Sequence, residues 1–244
     1  MKKQDNHNSN SLRTYNHIAL IESPESMASE AYRRIQVGLE YSEVDKEIKV
    51  IQVCSSLKGE GKTTTLLNLA CAYAETGKKV IALDLDFRRP KLHRTLEIED
   101  KDGITDVLAG NIKLEDAIKH SDSIPFDIIN RGSKAPFPAA LLSSNELQEI
   151  VNTLKNMYDL VLVDCPPVIA VSDAIQVSKL CDGCLFIVSY EKTEKSAAKE
   201  AIKILKSNNI KIFGTVITEI NSKNSSYYGH KYSYYYQYYG KDSK

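Results

Sequence analysis

An α/β fold, with a doubly wound, mostly parallel sheet and helices on both faces, is what this sequence predicts. Three observations carry it. A short apolar run, Val50-Ile51-Gln52-Val53-Cys54, is followed by a glycine-bearing loop and then by residues 65–74, whose apolar positions recur at helical spacing. Two later apolar runs, Val80 to Leu83 and Leu160 to Val163, each end on an aspartate, Asp84 and Asp164. Strand-like and helix-like segments alternate from residue 50 to residue 218, the pattern of parallel strands joined by crossover helices.

The glycine-bearing loop reads Ser55-Ser56-Leu57-Lys58-Gly59-Glu60-Gly61-Lys62-Thr63-Thr64. Strand, loop, Gly-Lys-Thr and helix in that order form a phosphate-binding P-loop, which makes the fold a P-loop NTPase. Gly59 and Gly61 let the backbone curl so that its N–H groups converge on an anion. The helix expected from about Thr63 adds the positive end of its dipole. The expected ligand is therefore a nucleotide, cradled by Ser56, Leu57, Lys58, Gly59, Glu60, Gly61, Lys62, Thr63 and Thr64, with ATP the expected one. Lys62 reaches toward the β- and γ-phosphates, and the Thr63 hydroxyl is a ligand for Mg²⁺. Ser56 stands where such loops ordinarily begin with glycine.

A chain of 244 residues can bury one good-sized core. Its 32 basic and 32 acidic residues balance, so no global field favours nucleic acid or a membrane surface. The longest apolar runs are strand-sized, and Met1-Lys2-Lys3 leads into polar residues with no apolar signal segment, so the expected site of action is the cytoplasm. Five cysteines, an odd number, do not make a disulfide framework. Cys181-Asp182-Gly183-Cys184 has redox or half-metal spacing, but it lacks a second pair and runs into an apolar strand, which favours packing.

In chain order, residues 1–22 are expected to be a flexible, polar leader, 23–220 the P-loop domain, and 221–244 a flexible tail. Ser23-Pro24-Glu25-Ser26 begins a helix over 27–42, on which Glu30, Arg33 and Arg34 lie one turn apart and suit either internal pairing or a subunit contact. Gly77 ends the P-loop helix. The strand Val80 to Leu83 delivers Asp84 and Asp86 at its C-terminal end, where ligands of parallel sheets sit; two residues apart, the acids point the same way if the strand runs that far. Residues 91–123 read as short helices, and Phe126 to Asn130 as a strand. Ser144 caps a helix through Met157, and Leu160 to Asp164 places a third acid at a strand end, where it orders Mg²⁺ with Thr63 and with either Asp84 or Asp86. A helix from Asp173, a strand over 183–189, a helix capped by Thr193 and a last strand over 211–218 complete the domain.

From Asn221 apolar periodicity stops. Tyr227, Tyr228, Tyr232, Tyr234, Tyr235, Tyr236, Tyr238 and Tyr239 are eight of the chain's 14 tyrosines. Such a segment can be a low-complexity tail, a stacking platform for nucleic acid, or a cluster of phosphoacceptors. Each phosphate would add about −1.5 to −2 charge. A tyrosine reservoir joined to an ATP site is most economically a self-modifying kinase, with no nucleic-acid partner.

Together, the P-loop, Leu83-Asp84-Leu85-Asp86-Phe87-Arg88-Arg89-Pro90, the Asp164-Cys165-Pro166-Pro167 strand end and the tyrosine-rich C-terminus resemble the bacterial tyrosine kinases of capsule and exopolysaccharide systems, over about residues 25–239. Lys62 with Thr63 matches that family's Walker A motif, Asp84 and Asp86 its Walker A′, and Asp164 its Walker B. The resemblance implies Mg²⁺-dependent transfer from ATP to the chain's own tyrosines in a neighbouring copy. Lys62, Asp84, Asp86 and Asp164 would be catalytic, with Asp84 accepting the tyrosine proton. It also implies a homo-oligomer through Glu30, Arg33 and Arg34, and activation at the inner face of the membrane by the cytoplasmic C-terminal segment of an adaptor protein. Other tyrosine-phosphorylated proteins and a phosphotyrosine phosphatase complete the expected partners. Two positions depart from the pattern: Gln36 replaces the second arginine of Glu-x-x-Arg-x-x-Arg, and Ala140 stands where relatives carry an acid. The competing resemblance is to partition and cell-division ATPases, which carry a further lysine at the position of Leu57. A regulator that binds nucleotide without transferring phosphate is the other alternative.

Overall fold

The computed structural model describes residues 18–43 and 47–220; the eight tail tyrosines lie outside the described residues. Six strands form one sheet: β1 (Val50–Ser55), β2 (Val80–Asp84), β3 (Asp127–Ile129), β4 (Leu160–Asp164), β5 (Gly183–Ser189) and β6 (Ile212–Thr218). Their order is β3-β2-β4-β1-β5-β6, and every neighbouring pair is parallel. The helices among the described residues are α1 (Ala19–Glu22), α2 (Met27–Glu40), α3 (Lys62–Glu75), α4 (Leu92–Thr95), α5 (Ile104–Leu108), α6 (Leu114–Ala117), α7 (Pro138–Leu142), α8 (Asn145–Met157), α9 (Asp173–Ser178) and α10 (Lys195–Ser207). This is the predicted α/β architecture.

The central strands β1, β2 and β4 are buried along their whole length, which is why they read as continuous apolar runs rather than alternating ones. Successive residues serve opposite faces. Val50 and Cys54 of β1 join the core beneath α8, α9 and α10, whereas Ile51 and Val53 join the core beneath α1, α2 and α3. α8 shows the helical counterpart: Leu147, Val151 and Leu154 are fully buried at i, i+4 and i+7, and each side chain contributes roughly 1.5–3 kcal/mol. Ser144 caps it as expected, accepting the Leu147 N–H at 3.1 Å.

Four sequence expectations need correction. The flexible leader does not extend to residue 22: Ile18 and Leu20 are buried against α3, so the folded unit reaches back at least to Ile18. Strand β2 ends at Asp84, so Asp86 lies in the following turn rather than on the strand. Thr193 does not cap α10, whose first residue is Lys195 and whose flanking residue is Glu194; the threonine hydroxyl is used elsewhere, as described below. Arg33 does not pair with Glu30. Its guanidinium makes two bonds to Glu75 at the end of α3, at 2.7 and 2.9 Å, and a third to the Pro24 carbonyl at 2.8 Å. Arg34 does bond Glu30, at 3.3 Å. Gln36, the departure from the family pattern, is buried, while Met27, Glu30, Arg34, Val37 and Tyr41 line the outer face of α2.

Candidate active site

The C-terminal ends of β1, β2 and β4 lie side by side, and each delivers one part of the site. From β1 the chain enters the P-loop. Gly59 and Gly61 both take positive φ, +81° and +93°, the left-handed geometry their lack of Cβ permits. Gly61 is also tightly enclosed, since a Cβ there would meet the Thr218 side chain at 3.3 Å. α3 begins at Lys62, one residue earlier than expected, with Gly61 preceding it. The Lys62 ammonium donates to the Ser55 hydroxyl at 3.1 Å, folded back along its own loop.

The three carboxylates lie near one another, with different work for each. Thr63 donates its hydroxyl to Asp164 Oδ2 at 2.6 Å, joining the start of α3 to the end of β4. Asp84 is fully buried and in register with Asp164. One of its oxygens accepts the Asp86 N–H at 3.1 Å, and the other accepts the N–H groups of Lys91 and Leu92 at 2.9 and 3.0 Å. Asp84 thus shapes the turn that carries Asp86. Asp86 in turn accepts the Arg89 N–H at 3.0 Å.

Burial, then the charge of Asp164, holds the Asp84 carboxyl above the usual carboxylate range, against the pull of its backbone donors. Burial also raises Asp164, which the Lys62 ammonium and the Thr63 hydroxyl pull back down. The donors around this cluster are hard oxygens, which suits Mg²⁺. Among the described residues no group of three or more His, Cys, Asp or Glu is arranged to hold a metal by itself.

Sequence reasoning missed the back wall of the loop. Glu60 is buried, and its carboxylate accepts the Ser56 hydroxyl, the Leu57 N–H at 2.9 Å and the Thr193 hydroxyl at 2.6 Å. Thr193 also accepts the Ser189 N–H at 2.8 Å, so one hydroxyl ties the end of β5 to the P-loop. Thr218, the last residue of β6, donates to the Glu60 carbonyl at 2.8 Å, and Lys192 donates to the Gly59 carbonyl at 3.3 Å while paired with Glu219. These partners lie 133 and 158 residues from the loop, so no local pattern marks them. The buried acid two residues before Lys62 was the available signal, because a carboxylate in a phosphate loop needs its own donors.

The remaining predicted residues fall outside this cluster. Leu57 is 39% exposed at the loop's outer edge and brings no charge to it. Arg88 makes two bonds to buried Asp173, at 2.7 and 3.1 Å, fastening the turn after β2 to α9. Ala140 lies exposed on α7. The cysteines pack: Cys54, Cys71, Cys165 and Cys184 are buried and Cys181 is half-buried, all as free thiols. Burial raises the thiols of Cys54, Cys165 and Cys181 and pushes Cys71 up to about 12.

Comparison with known proteins agrees with this geometry. Residues 48–218 match the family model described as an AAA domain. The chain is 36% identical to the tyrosine-protein kinase YwqD of Bacillus subtilis over 88% of its own length and 90% of that protein. It is 31% identical to the putative tyrosine-protein kinase AmsA of Erwinia amylovora, but spans only 30% of that longer protein. Among solved structures, the kinase domain of the Escherichia coli tyrosine kinase ETK superposes with a TM-score of 0.81 at 26% identity, covering 86% of this chain and 83% of that one. The septum site-determining protein MinD of Pyrococcus horikoshii superposes over less, 69% of each chain, with a TM-score of 0.59 at 29% identity.

Proposed function

The chain belongs to the tyrosine-protein kinases of bacteria, and from that premise we propose that it phosphorylates the tyrosines of its own C-terminal cluster in trans and so regulates capsule or exopolysaccharide synthesis and export. The observation that carries this reading is the meeting of Lys62, Thr63, Asp84 and Asp164 at one sheet edge, in a chain with eight tyrosines after residue 226. ATP would lie with its β- and γ-phosphates on the Gly59–Thr63 backbone, and Lys62 would leave Ser55 to neutralise them. Thr63, Asp86 and Asp164 would hold Mg²⁺, which supplies charge neutralisation at the phosphates.

In the transfer step the tyrosine oxygen forms a bond to the γ-phosphorus. The bond from that phosphorus to the β–γ bridging oxygen breaks, ADP leaves, and the phenolic proton passes to a carboxylate. Asp84 is the proposed acceptor. Its raised proton affinity makes it a stronger base toward a phenol whose free pKa is about 10. Its three backbone donors must first loosen, so proton transfer requires movement of the Asp86–Leu92 turn. Catalysis is otherwise positioning and charge neutralisation.

No helix among the described residues is long and apolar enough to cross a membrane. The proposal therefore includes recruitment to the inner membrane face by the cytoplasmic segment of an adaptor. Copies would assemble through the outer face of α2, where Glu30 and Arg34 sit among exposed Met27, Val37 and Tyr41. Arg33 would contribute to that assembly by fixing α2 on α3. Other phosphorylated proteins and a phosphotyrosine phosphatase would complete the circuit. The uncharged side chain of Leu57 disfavours the MinD-type reading.

The deciding experiment incubates the chain with ATP, Mg²⁺ and a candidate adaptor fragment, and maps the tail by mass spectrometry. Phosphotyrosine between Tyr227 and Tyr239 that disappears in Lys62→Met is expected. ATP hydrolysis with an unmodified tail would transfer the assignment to an ATPase or a nucleotide-gated regulator. Transfer in trans predicts that an active chain lacking its tail phosphorylates folded Lys62→Met; failure of that mixture would favour transfer in cis.

A further inference from the structure

Beside the candidate active site lies a cleft of about 440 Å³ whose lining is almost all cationic: Arg88, Arg89, Lys91, Arg94 and Arg131, with Asp100 the one acid. Two of these cations are already neutralised, Arg88 by Asp173 and Arg131 by Asp100 at 2.6 Å. Asp100 is further engaged by the Asn130 amide and the Gly132 N–H, both at 3.1 Å, so its oxygens serve the chain around residue 131. Arg89, Lys91 and Arg94 are exposed, and none pairs with a carboxylate among the described residues. The fold therefore gathers three exposed cations without an ion-pair contact in a concavity, where an anion would relieve their mutual repulsion. The surroundings report the same field. His93 Nδ1 is buried with no hydrogen-bond partner, 3.7 Å from Asp100; burial lowers its proton affinity, against the pull of Asp100 and with the push of the Arg94, Arg131 and Lys119 cations.

We propose that this cleft is a docking site for phosphotyrosine, and that its occupant is the tyrosine tail after one of its residues has been phosphorylated. The reading rests on the kinase assignment above. A phosphate dianion accepts paired bonds from guanidinium groups, and Arg89 and Arg94 offer two. Position supports the tail as the source. Arg89 lies three residues beyond Asp86, so their Cα atoms are within about 11 Å and a tail held here lies beside the turn that carries Asp86. The tail is rooted at the far side of the same sheet edge: β6 is four strand spacings from β2, about 19 Å. The seven residue steps from Ile220 to Tyr227 can span about 25 Å when extended, so a tail reaches the cleft of its own chain as well as that of a neighbour. The shape favours a peptide over a lipid surface, because the cations line a concavity and none of the exposed large apolar side chains borders it. One phosphorylation then draws the tail back for the next, and multiply phosphorylated chains accumulate ahead of singly phosphorylated ones.

The test uses the full chain carrying Lys62→Met, with peptides of residues 227–239 bearing either phosphotyrosine or tyrosine at position 236, and fluorescence anisotropy at about 0.15 M salt. The phosphopeptide is expected to bind at least tenfold more tightly. Arg89→Ala with Arg94→Ala should erase that preference, and the lysine pair should restore part of it. Both arginines are exposed, and circular dichroism checks that the fold is kept. Equal binding of the two peptides, or a preference that survives the double alanine variant, overturns the proposal. Arginine-dependent sedimentation with phosphatidylglycerol vesicles, without phosphopeptide binding, overturns it in favour of a membrane surface. Because binding is read without catalysis, a chain that fails to autophosphorylate leaves this result interpretable by itself.

Discussion

Thr193 donates its hydroxyl to the buried carboxylate of Glu60 at 2.6 Å, so the loop after β5 holds the middle of the phosphate loop in shape. Removing that hydroxyl leaves the Ser189 N–H and one Glu60 oxygen short of a partner. A charge-assisted bond of this kind is worth about 1.5–3 kcal/mol. Thr193→Val is expected to weaken ADP binding tenfold or more by calorimetry, and Thr193→Ser to stay near the parent. Unchanged affinity in the valine variant would remove the bond from any part in shaping the loop.

The two loop glycines should differ in cost. An alanine at positive φ costs roughly 1–2 kcal/mol wherever it is placed. At Gly59 a Cβ meets nothing within 4 Å, whereas at Gly61 it presses on Thr218, whose hydroxyl holds the Glu60 carbonyl. Gly61→Ala should therefore lose more stability and more nucleotide affinity than Gly59→Ala, as urea unfolding and ADP titration will report. The reverse ranking would contradict the enclosed geometry.

Asp84 and Asp164 both bind protons more tightly in the fold than an unfolded aspartate does. Protonation therefore favours the folded state. That stabilisation is complete below the ordinary aspartate range, near pH 4, and is lost as the pH rises through the raised folded values. Without nucleotide or Mg²⁺, Asp164→Asn should melt a few degrees above the parent at pH 8, the gap closing toward pH 4. About 1 kcal/mol corresponds to about 2–4 °C in a chain of this size. A lower melting point at pH 8 would mean that the Thr63 bond outweighs the crowding of carboxylates.

The Arg33–Glu75 pair predicts a separation between stability and assembly. It is bidentate but half-exposed, so a double-mutant cycle should return about 0.5–1 kcal/mol of coupling. Glu30→Ala, on the outer face of the same helix, should change stability by less than about 0.5 kcal/mol while shifting the sedimentation profile toward smaller species. If Glu30→Ala left assembly intact, α2 would not be the contact.

Much of this was legible beforehand because it is local. Gly59, Gly61, Lys62 and Thr63 stand in one frame between a strand and a helix, and Asp84 and Asp164 each close an apolar run. Strand order was not legible, because alternation implies parallel pairing without saying which strands are neighbours. Thr193 misled because a threonine before an apolar-periodic stretch resembles a helix cap, whereas its partner, Glu60, is distant in the chain. Arg33 misled in the same way: helical spacing offered Glu30, and packing of α2 on α3 brought the better placed Glu75.

The packing of the thiols has a practical consequence. Cys54, Cys71, Cys165 and Cys181 hold their protons more firmly than a free cysteine, and four of the five cysteines are buried. Alkylating reagents attack thiolates that they can reach. A single cysteine introduced at an exposed position such as Arg94 would then react far ahead of the native ones. A fluorophore or spin label could be placed beside the Asp86–Leu92 turn without first removing any of the protein's own sulfur.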